Sequence, residues 1–313
     1  MTQPGPRVLV DSRDQIGESP VWSIPENSLY WVDVEDGRVQ RWNASDHSVQ
    51  RWNIGEAIGC IGLRKRGGLV GAGRTGFFFL DTASGKSTPI CDPEAHLPDN
   101  RFNDGKVDRR GRFWAGTRNF RNTEVASGRL YRLDPDLSIH RMEEGLLCPN
   151  GMAWSPDDRL MYLCDTWARR IFVYDFDADD GTLRHRRLFA ELPENEGFPD
   201  GLTVDADGCV WNAHYDGWRI TRYTLDAKVD RVIRMPVQYV TSLTFGGNGY
   251  RMLYVTTACL RLDEAQRASQ PDAGHVFGIN TQAQGPSRAG IHRLRPAAVV
   301  RRSCAPPEPI HPA

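Results

Sequence analysis

Long hydrophobic stretches are absent from this sequence of 313 residues. Its apolar runs are only a few residues long, as in 77–80, and are too short to cross a lipid bilayer. The first residues also lack a basic start followed by an apolar core, which is the pattern of a secretory signal. We therefore predict a cytoplasmic protein that does not bind to membranes.

The sequence also has no excess of charge of one sign, and its formal net charge is -1. The longest run of basic residues is 64–66, which is typical of a solvated turn. Nucleic-acid binding proteins usually have a basic patch or stripe, so we do not expect nucleic acid as a partner.

Paired cysteines and two common hydrolase motifs are missing as well. The seven cysteines are scattered and form no Cys-x-x-Cys pair, which predicts reduced, buried thiols. No Gly-x-Ser-x-Gly elbow is present to supply a serine nucleophile, and no His-Glu-x-x-His is present to bind zinc on a helix. These absences exclude serine hydrolases that use the Gly-x-Ser-x-Gly elbow and zinc hydrolases that use the His-Glu-x-x-His motif.

The sequence does contain a repeat of short strands. A polar turn followed by a short apolar segment occurs six times, centred on Trp31, Val70, Trp114, Tyr162, Trp211 and Tyr254. Successive centres are about 39 to 49 residues apart, which is the length of a four-stranded propeller blade. A second strand pattern follows each of the six. We therefore predict an all-β fold, a six-bladed β-propeller with a central channel, because a β-sandwich has no reason to repeat at this length.

The repeat also predicts the domain organisation. Residues 1–285 form the propeller, and the early apolar segment 7–10 pairs into the last blade and closes the ring. Residues 286–313 are rich in proline, arginine and alanine, and we predict a loosely ordered C-terminal tail.

Equivalent positions in the repeat indicate which residues face the channel. The residues at matching offsets before the six centres are Glu18, Gly59, Asn103, Asn150, Asp200 and Ser242. Four of these, Glu18, Asn103, Asn150 and Asp200, are short oxygen-bearing groups beside glycine or proline, and together they would form a cage for a divalent cation. Each motif alone is also an ordinary turn sequence, but the matched register favours the metal interpretation. A cation would also offset the repulsion between Glu18 and Asp200.

Five segments in order, 17–22, 101–108, 149–155, 198–202 and 245–247, resemble the gluconolactonase family that includes regucalcin (senescence marker protein). The resemblance extends over about 7–285. It implies that Glu18, Asn150 and Asp200 bind the metal, and that Arg101 and Asn103 hold the sugar ring and its hydroxyls. It leaves the ion open among calcium, zinc, manganese, magnesium and iron.

One segment departs from the family pattern. After residue 117, some relatives have an acidic group that meets a substrate hydroxyl, whereas this chain has Arg118, Arg121 and Glu124. Either Glu124 supplies the acid, or one of the arginines faces the pocket, or both arginines point into solvent. An arginine in the pocket would favour a substrate with a carboxylate, sulfonate or phosphate. His214, just after an inner strand, is either a structural loop residue or a further substrate contact.

The sequence thus predicts metal-dependent hydrolysis of a sugar aldonolactone to the open aldonic acid. The metal would polarise the carbonyl, and Asp200 would act as general base toward the attacking water. The alternatives are a phosphoester or organophosphate hydrolase on the same propeller, a non-catalytic calcium-binding protein, and an interaction scaffold. We expect the lactone as the small-molecule partner and a monomer or small homo-oligomer.

Overall fold

The computed structural model describes residues 5–286, in which 24 strands form six four-stranded sheets. The first strand is β1 (Arg7–Val10). Blade 1 contains β2 (Gly17–Ser23), β3 (Ser28–Asp33), β4 (Arg38–Asn43) and β5 (Val49–Asn53). Blade 2 contains β6 (Ile58–Leu63), β7 (Leu69–Gly73), β8 (Gly76–Leu80) and β9 (Ser87–Cys91). Blade 3 contains β10 (Asn100–Val107), β11 (Phe113–Asn119), β12 (Gly128–Leu133) and β13 (Ile139–Leu146).

The remaining blades repeat this arrangement. Blade 4 contains β14 (Pro149–Trp154), β15 (Leu160–Asp165), β16 (Arg170–Phe176) and β17 (Leu183–Glu191). Blade 5 contains β18 (Phe198–Val204), β19 (Val210–Tyr215), β20 (Arg219–Tyr223) and β21 (Val229–Arg234). Blade 6 contains β22 (Tyr239–Gly246), β23 (Met252–Ala258) and β24 (Val276–Asn280), and β1 is its outermost strand. Short 3₁₀ turns lie at Glu194–Glu196 and Asn248–Tyr250, and one helix, α1 (Glu264–Ser269), follows β23.

The six repeat centres all lie on the second strand of a blade, so the predicted six-bladed propeller is confirmed. The ring closes where β1 pairs antiparallel with β24, with Val8 opposite Phe277 and Val10 opposite Val276. The predicted C-terminal tail, 286–313, lies almost wholly outside the described residues.

Buried tryptophans explain why the second strands repeat so clearly. Trp114 and Trp211 are fully buried at equivalent positions of β11 and β19. Each donates a hydrogen bond from Nε1 to a carboxylate six residues earlier, Asp108 at 3.0 Å and Asp205 at 2.8 Å. A buried indole requires such a partner, and the aspartates also shape the turns before these strands.

The apolar core lies between neighbouring blades. One cluster joins Trp211 and Ile220 of blade 5 to Leu243 and Val255 of blade 6, and comparable clusters join the other blades. Each sheet therefore packs both faces against its neighbours, which holds the innermost strands around the channel.

The cysteines follow the prediction only in part. Five of them are free and buried, Cys60, Cys148, Cys164, Cys209 and Cys259. Cys91 is disulfide-bonded, so the prediction of reduced thiols throughout is wrong at that position. Cys304 lies outside the described residues. Within residues 5–286 no helix has the length and apolar character needed to span a membrane.

Candidate functional site

Each of the six innermost strands is interrupted by a break in register where it reaches the channel. The breaks lie between Glu18 and Val21, Ile58 and Cys60, Phe102 and Gly105, Asn150 and Met152, Pro199 and Leu202, and Val240 and Ser242. A β-bulge bends its strand and redirects a side chain. The sequence offsets therefore mark positions at which the strands themselves are distorted.

In blade 6 the channel-facing residue is Thr241 rather than Ser242. Thr241 lines the same cavity as Glu18 and Asp200, whereas Ser242 lines a smaller cavity. The prediction that Ser242 is the equivalent residue is therefore wrong by one position.

A cavity of about 320 Å³ lies at one end of the channel. Of the candidate site residues, six line it together: Glu18, Arg101, Asn103, Arg118, Asn150 and Asp200. They come from blades 1, 3, 4 and 5, so only the closed ring brings them together.

The floor of the cavity consists of buried oxygen-bearing groups. The amide nitrogen of Asn150 donates hydrogen bonds to a carboxylate oxygen of Asp200 and, at 3.0 Å, to the hydroxyl of Thr166. Oε2 of Glu18 accepts a hydrogen bond from the main-chain N–H of Ser19 at 2.8 Å. A third buried carboxylate, Asp104, also lines the cavity.

These carboxylates destabilise one another's charged forms. Burial, followed by the charges of Asp200 and Asp104, raises the pKa of Glu18 well above its usual value. Burial and the nearby Asp104 likewise raise the pKa of Asp200, while Arg118 opposes this shift. Burial also raises the pKa of Asp104 to about 6, against the charge of Lys106. Full ionisation of all three carboxylates would therefore place more negative charge at the floor than its protein neighbours balance.

The donor set fits a hard divalent cation. Three ionised carboxylates beside the ammonium of Lys106 would leave two negative charges, which Arg118 offsets only from beyond ion-pair distance and which one such ion would neutralise. Within residues 5–286 no group of three or more His, Cys, Asp or Glu side chains could hold a metal alone. A site here therefore needs the Asn150 amide and water beside the two carboxylates Glu18 and Asp200. Turning the Asn150 amide by half a turn would place its oxygen toward Asp200.

Two of the predicted sugar-binding residues are held firmly on the wall of the cavity. Arg101 forms an ion pair with Glu35 at 2.5 Å. Asn103 donates a hydrogen bond to the carbonyl of Pro149 at 3.1 Å and accepts one from Nε of Arg118 at 3.0 Å. Side chains fixed in this way can orient a ligand with little loss of entropy on binding.

Three other predicted substrate contacts do not line this cavity, and we do not retain them as contacts. Arg121 is exposed and pairs with Asp99 at 2.6 Å. Glu124 is exposed on the same loop. His214 is fully buried and donates from Nδ1 to the carbonyl of Glu196 at 2.8 Å. Burial lowers the pKa of His214 to about 4, so its structural alternative fits the observed position.

Sequence reasoning did not single out three charged residues that line the cavity, Glu35, Asp104 and Arg261. Asp104 follows Asn103 directly, and the bulge of β10 leaves both residues unpaired. The strand pattern in the sequence did not indicate that two successive residues would face the cavity. Glu35 and Arg261 lie in the connections between the second and third strands of blades 1 and 6. These connections differ in length and sequence from blade to blade, so the repeat gave no signal for individual residues within them.

Known proteins that resemble this chain in sequence and in structure point to one family. The family described as SMP-30/Gluconolactonase/LRE-like region matches residues 16–259. Regucalcin from Danio rerio is 34% identical over 275 residues, covering 87% of this chain and 92% of that protein. The 6-deoxy-6-sulfogluconolactonase from Pseudomonas putida is 35% identical over 280 residues, covering 89% and 96%. The crystal structure of a calcium-binding protein, regucalcin, from Agrobacterium tumefaciens superposes with a TM-score of 0.86 at 24% identity, covering 90% of this chain and 95% of that one.

Proposed function

Because the chain belongs to the SMP-30/gluconolactonase/LRE-like family, we propose that it hydrolyses a sugar lactone to the open aldonic acid with a divalent metal ion. The observation that supports this most strongly is the buried group Glu18, Asn150 and Asp200 at the floor of a cavity whose wall holds Arg101 and Asn103. The 35% identical 6-deoxy-6-sulfogluconolactonase, whose name denotes a lactone substrate, supports the same reaction class.

Glu18, Asn150 and Asp200 would hold the ion, and its identity stays open among calcium, zinc, manganese, magnesium and iron. When bound, such an ion supplies Lewis acidity that polarises the lactone carbonyl and lowers the pKa of water. The protein contributes the shape of the cavity, the orientation of the substrate and the transfer of protons.

Asp200 would act as the general base, because its carboxylate lies at the floor and reaches into the cavity. Asp200 accepts a proton from water, and the water oxygen forms a bond to the carbonyl carbon. The bond between this carbon and the ring oxygen then breaks, and the proton passes from Asp200 to the ring oxygen, which becomes a hydroxyl. A lactone is an activated ester, so no covalent nucleophile is needed.

Arg101 and Asn103 would fix the sugar ring above this floor. Arg101 is restrained by Glu35 and lies over the ring of Phe120, with 5.5 Å between its guanidinium carbon and the ring centroid. Asn103 is restrained by Pro149 and Arg118. Their role is to place the carbonyl carbon near the attacking water, which lowers the entropic part of the barrier.

The test is an assay of purified protein, stripped of metal with a chelator and reloaded with each of the five ions. Substrates are a panel of aldonolactones and, for comparison, a phosphotriester; metal binding is followed separately by calorimetry. We expect metal-dependent lactone hydrolysis, lost in Asp200→Asn and retained in the matched control Asp226→Asn, because Asp226 is exposed on an outer turn. Metal binding without any turnover would instead indicate the calcium-binding alternative, and hydrolysis of the phosphotriester alone would indicate the phosphoesterase.

A cytoplasmic location and a monomeric or small homo-oligomeric state stay predictions.

A further inference from the structure

The cavity separates two kinds of charge. Its floor holds the carboxylates Glu18, Asp104 and Asp200, while three arginines, Arg101, Arg118 and Arg261, lie around its wall. Among residues 5–286, only Glu35 adds a negative charge to this wall, and it pairs with Arg101. The other two arginines are therefore the source of positive charge available to a ligand.

Arg118 is a fixed cation without a carboxylate partner. It lies on β11 with its Cα opposite that of Arg101 on β10. Nε donates to Asn103 at 3.0 Å, and one terminal nitrogen donates to the carbonyl of Asn119 at 3.3 Å. Both acceptors are neutral, and in the described part of the chain no carboxylate forms an ion pair with Arg118. Its side chain is held in place, and no carboxylate of the described residues lies within ion-pair distance to neutralise its charge.

The floor explains only part of this charge. Arg118 favours the ionised form of Asp200 from beyond ion-pair distance, but Lys106 and one divalent ion would already balance Glu18, Asp104 and Asp200. The guanidinium is also oriented by Asn103, a wall residue, rather than by any of the three carboxylates.

Arg261 adds a second cation from the other side. It lies between β23 and α1 in blade 6, while Arg118 belongs to blade 3, and these blades are opposite one another in a ring of six. Arg261 is exposed, and none of the described residues forms an ion pair or hydrogen bond with its guanidinium. A ligand in the middle of the cavity would therefore lie between two arginines.

On the basis of the lactonase function proposed above, we propose that Arg118 and Arg261 form a subsite for an anionic substituent on the sugar lactone. The substituent is a sulfonate, phosphate or carboxylate at the end of the sugar remote from the lactone carbonyl. Guanidinium groups form paired, charge-assisted hydrogen bonds with such oxyanions. The lactone carbonyl would then lie at the acidic, metal-binding floor, and the anion would lie at the basic wall, so the charge distribution would orient the substrate in one direction.

The test compares kcat/KM for matched lactones, glucono-1,5-lactone against the same lactone with a phosphate or a sulfonate at carbon 6. One charge-assisted hydrogen bond corresponds to about a ten- to hundredfold preference. We expect wild-type protein to prefer the anionic lactones by at least about tenfold, and the preference to decrease as salt is raised. Arg261→Gln should remove most of the preference while leaving kcat/KM for the neutral lactone within about twofold.

Arg118→Gln should also reduce the preference, but it disturbs Asn103 and so lowers activity on both lactones. Arg121→Gln is the matched control, because Arg121 is an exposed arginine in the loop that follows β11 and does not line the cavity. Equal efficiency on neutral and anionic lactones, or an undiminished preference in Arg261→Gln, overturns the proposal.

A binding experiment separates this proposal from the proposed reaction. If wild-type protein hydrolyses no lactone, the reaction is wrong, and the subsite is tested by calorimetry with gluconate and 6-phosphogluconate. Tighter binding of 6-phosphogluconate that is lost in Arg261→Gln supports the subsite. Equal binding of the two acids overturns it.

Discussion

Asn212 holds the main chain at Asp200. Its Nδ2 donates to the carbonyl oxygen of Asp200 at 3.0 Å and to that of Gly201 at 3.2 Å. Asn212 is fully buried on β19, directly behind the bulge of β18 that turns Asp200 into the cavity. The neighbouring strand therefore fixes the direction of the carboxylate proposed as both metal ligand and base.

Replacing Asn212 with aspartate should weaken metal binding while Asp200 itself stays unchanged. The substitution keeps the size of the side chain but removes both N–H donors. Loss of one hydrogen bond that positions Asp200 would lower the affinity for metal about tenfold. Calorimetric titration with metal measures this, and circular dichroism verifies the fold. Asn248→Asp, on an exposed turn, is the control. Unchanged metal affinity in a folded Asn212→Asp protein would show that Asn212 does not position Asp200.

Removing a floor carboxylate should have opposite effects with and without metal. In chelator-treated protein, Glu18→Gln or Asp200→Asn should raise the Tm at pH 8 by a few degrees, because repulsion between buried carboxylates is relieved. With saturating metal, the same variants should gain less from the ion than wild type, since a charged ligand is missing. Thermal unfolding in both conditions measures the difference. A variant that is less stable than wild type without metal would contradict this account of the floor.

Acidification should destabilise the fold through His214. Its pKa in the folded protein is about 4, below the value of 6.5 expected when unfolded, because burial disfavours the charged ring. The stability that this provides is fully present above pH 6.5 and is lost as pH falls toward 4. At pH 5 the loss is about 2 kcal/mol by proton linkage.

Urea unfolding at pH 7.5 and pH 5 measures this effect as a difference between proteins. His214→Gln should lose about 2 kcal/mol less than wild type between the two pH values, whereas His96→Gln, at an exposed position, should behave as wild type. Buried carboxylates with raised pKa values have the opposite sign, but they are the same in all three proteins and cancel in the comparison. An equal decrease in the free energy of unfolding between pH 7.5 and pH 5 in wild type and His214→Gln would contradict the prediction.

Deleting residues 1–10 should open the ring at blade 6. This removes β1 and leaves the outer edge of β24 unpaired. It also removes Val10 from the hydrophobic cluster that contains Trp22 and Tyr254. Burial of Val10 alone contributes about 1.5 kcal/mol, and an exposed strand edge promotes aggregation. We expect a lower Tm and increased light scattering on heating. The control is Val8→Thr, a conservative change at a partly exposed position of β1. A deletion variant as stable and soluble as wild type would mean that β1 is not needed for closure.

The blades could be predicted from sequence because each second strand has a buried aromatic or apolar centre, such as Trp114 or Trp211, at a nearly constant interval. Burial between two neighbouring blades imposes that pattern on the sequence. The channel-facing residues were predictable in five of six blades for the same reason. Blade 6 differed by one residue because the offset between the strand centre and the channel residue varies from 11 to 13 residues among the blades, so spacing alone does not choose between Thr241 and Ser242.

The wall of the cavity was less predictable than its floor. Arg118 lies near the end of a strand of the repeat, so its approach to the channel could be proposed from the sequence. Its hydrogen bond to Asn103 could not be predicted in this way. Arg261 and Glu35 lie on loops whose paths depend on tertiary packing. His214 was open to two interpretations because the last residues of an inner strand can face either the channel or the neighbouring loop. In this structure its ring forms a hydrogen bond with the carbonyl of Glu196 and faces the loop.

The order of the blades has a consequence for biosynthesis. Glu18 leaves the ribosome with blade 1 and Asp200 with blade 5, but these blades lie on either side of blade 6, which also contains β1, so their positions around the channel are fixed only when blade 6 closes the ring. A nascent chain that has already exposed both carboxylates therefore still lacks the geometry to capture an ion tightly. If the proposed ion binds at this site, we expect it to be loaded only after β24 is complete, so that the fraction of metal-loaded protein would report how many chains have finished assembling.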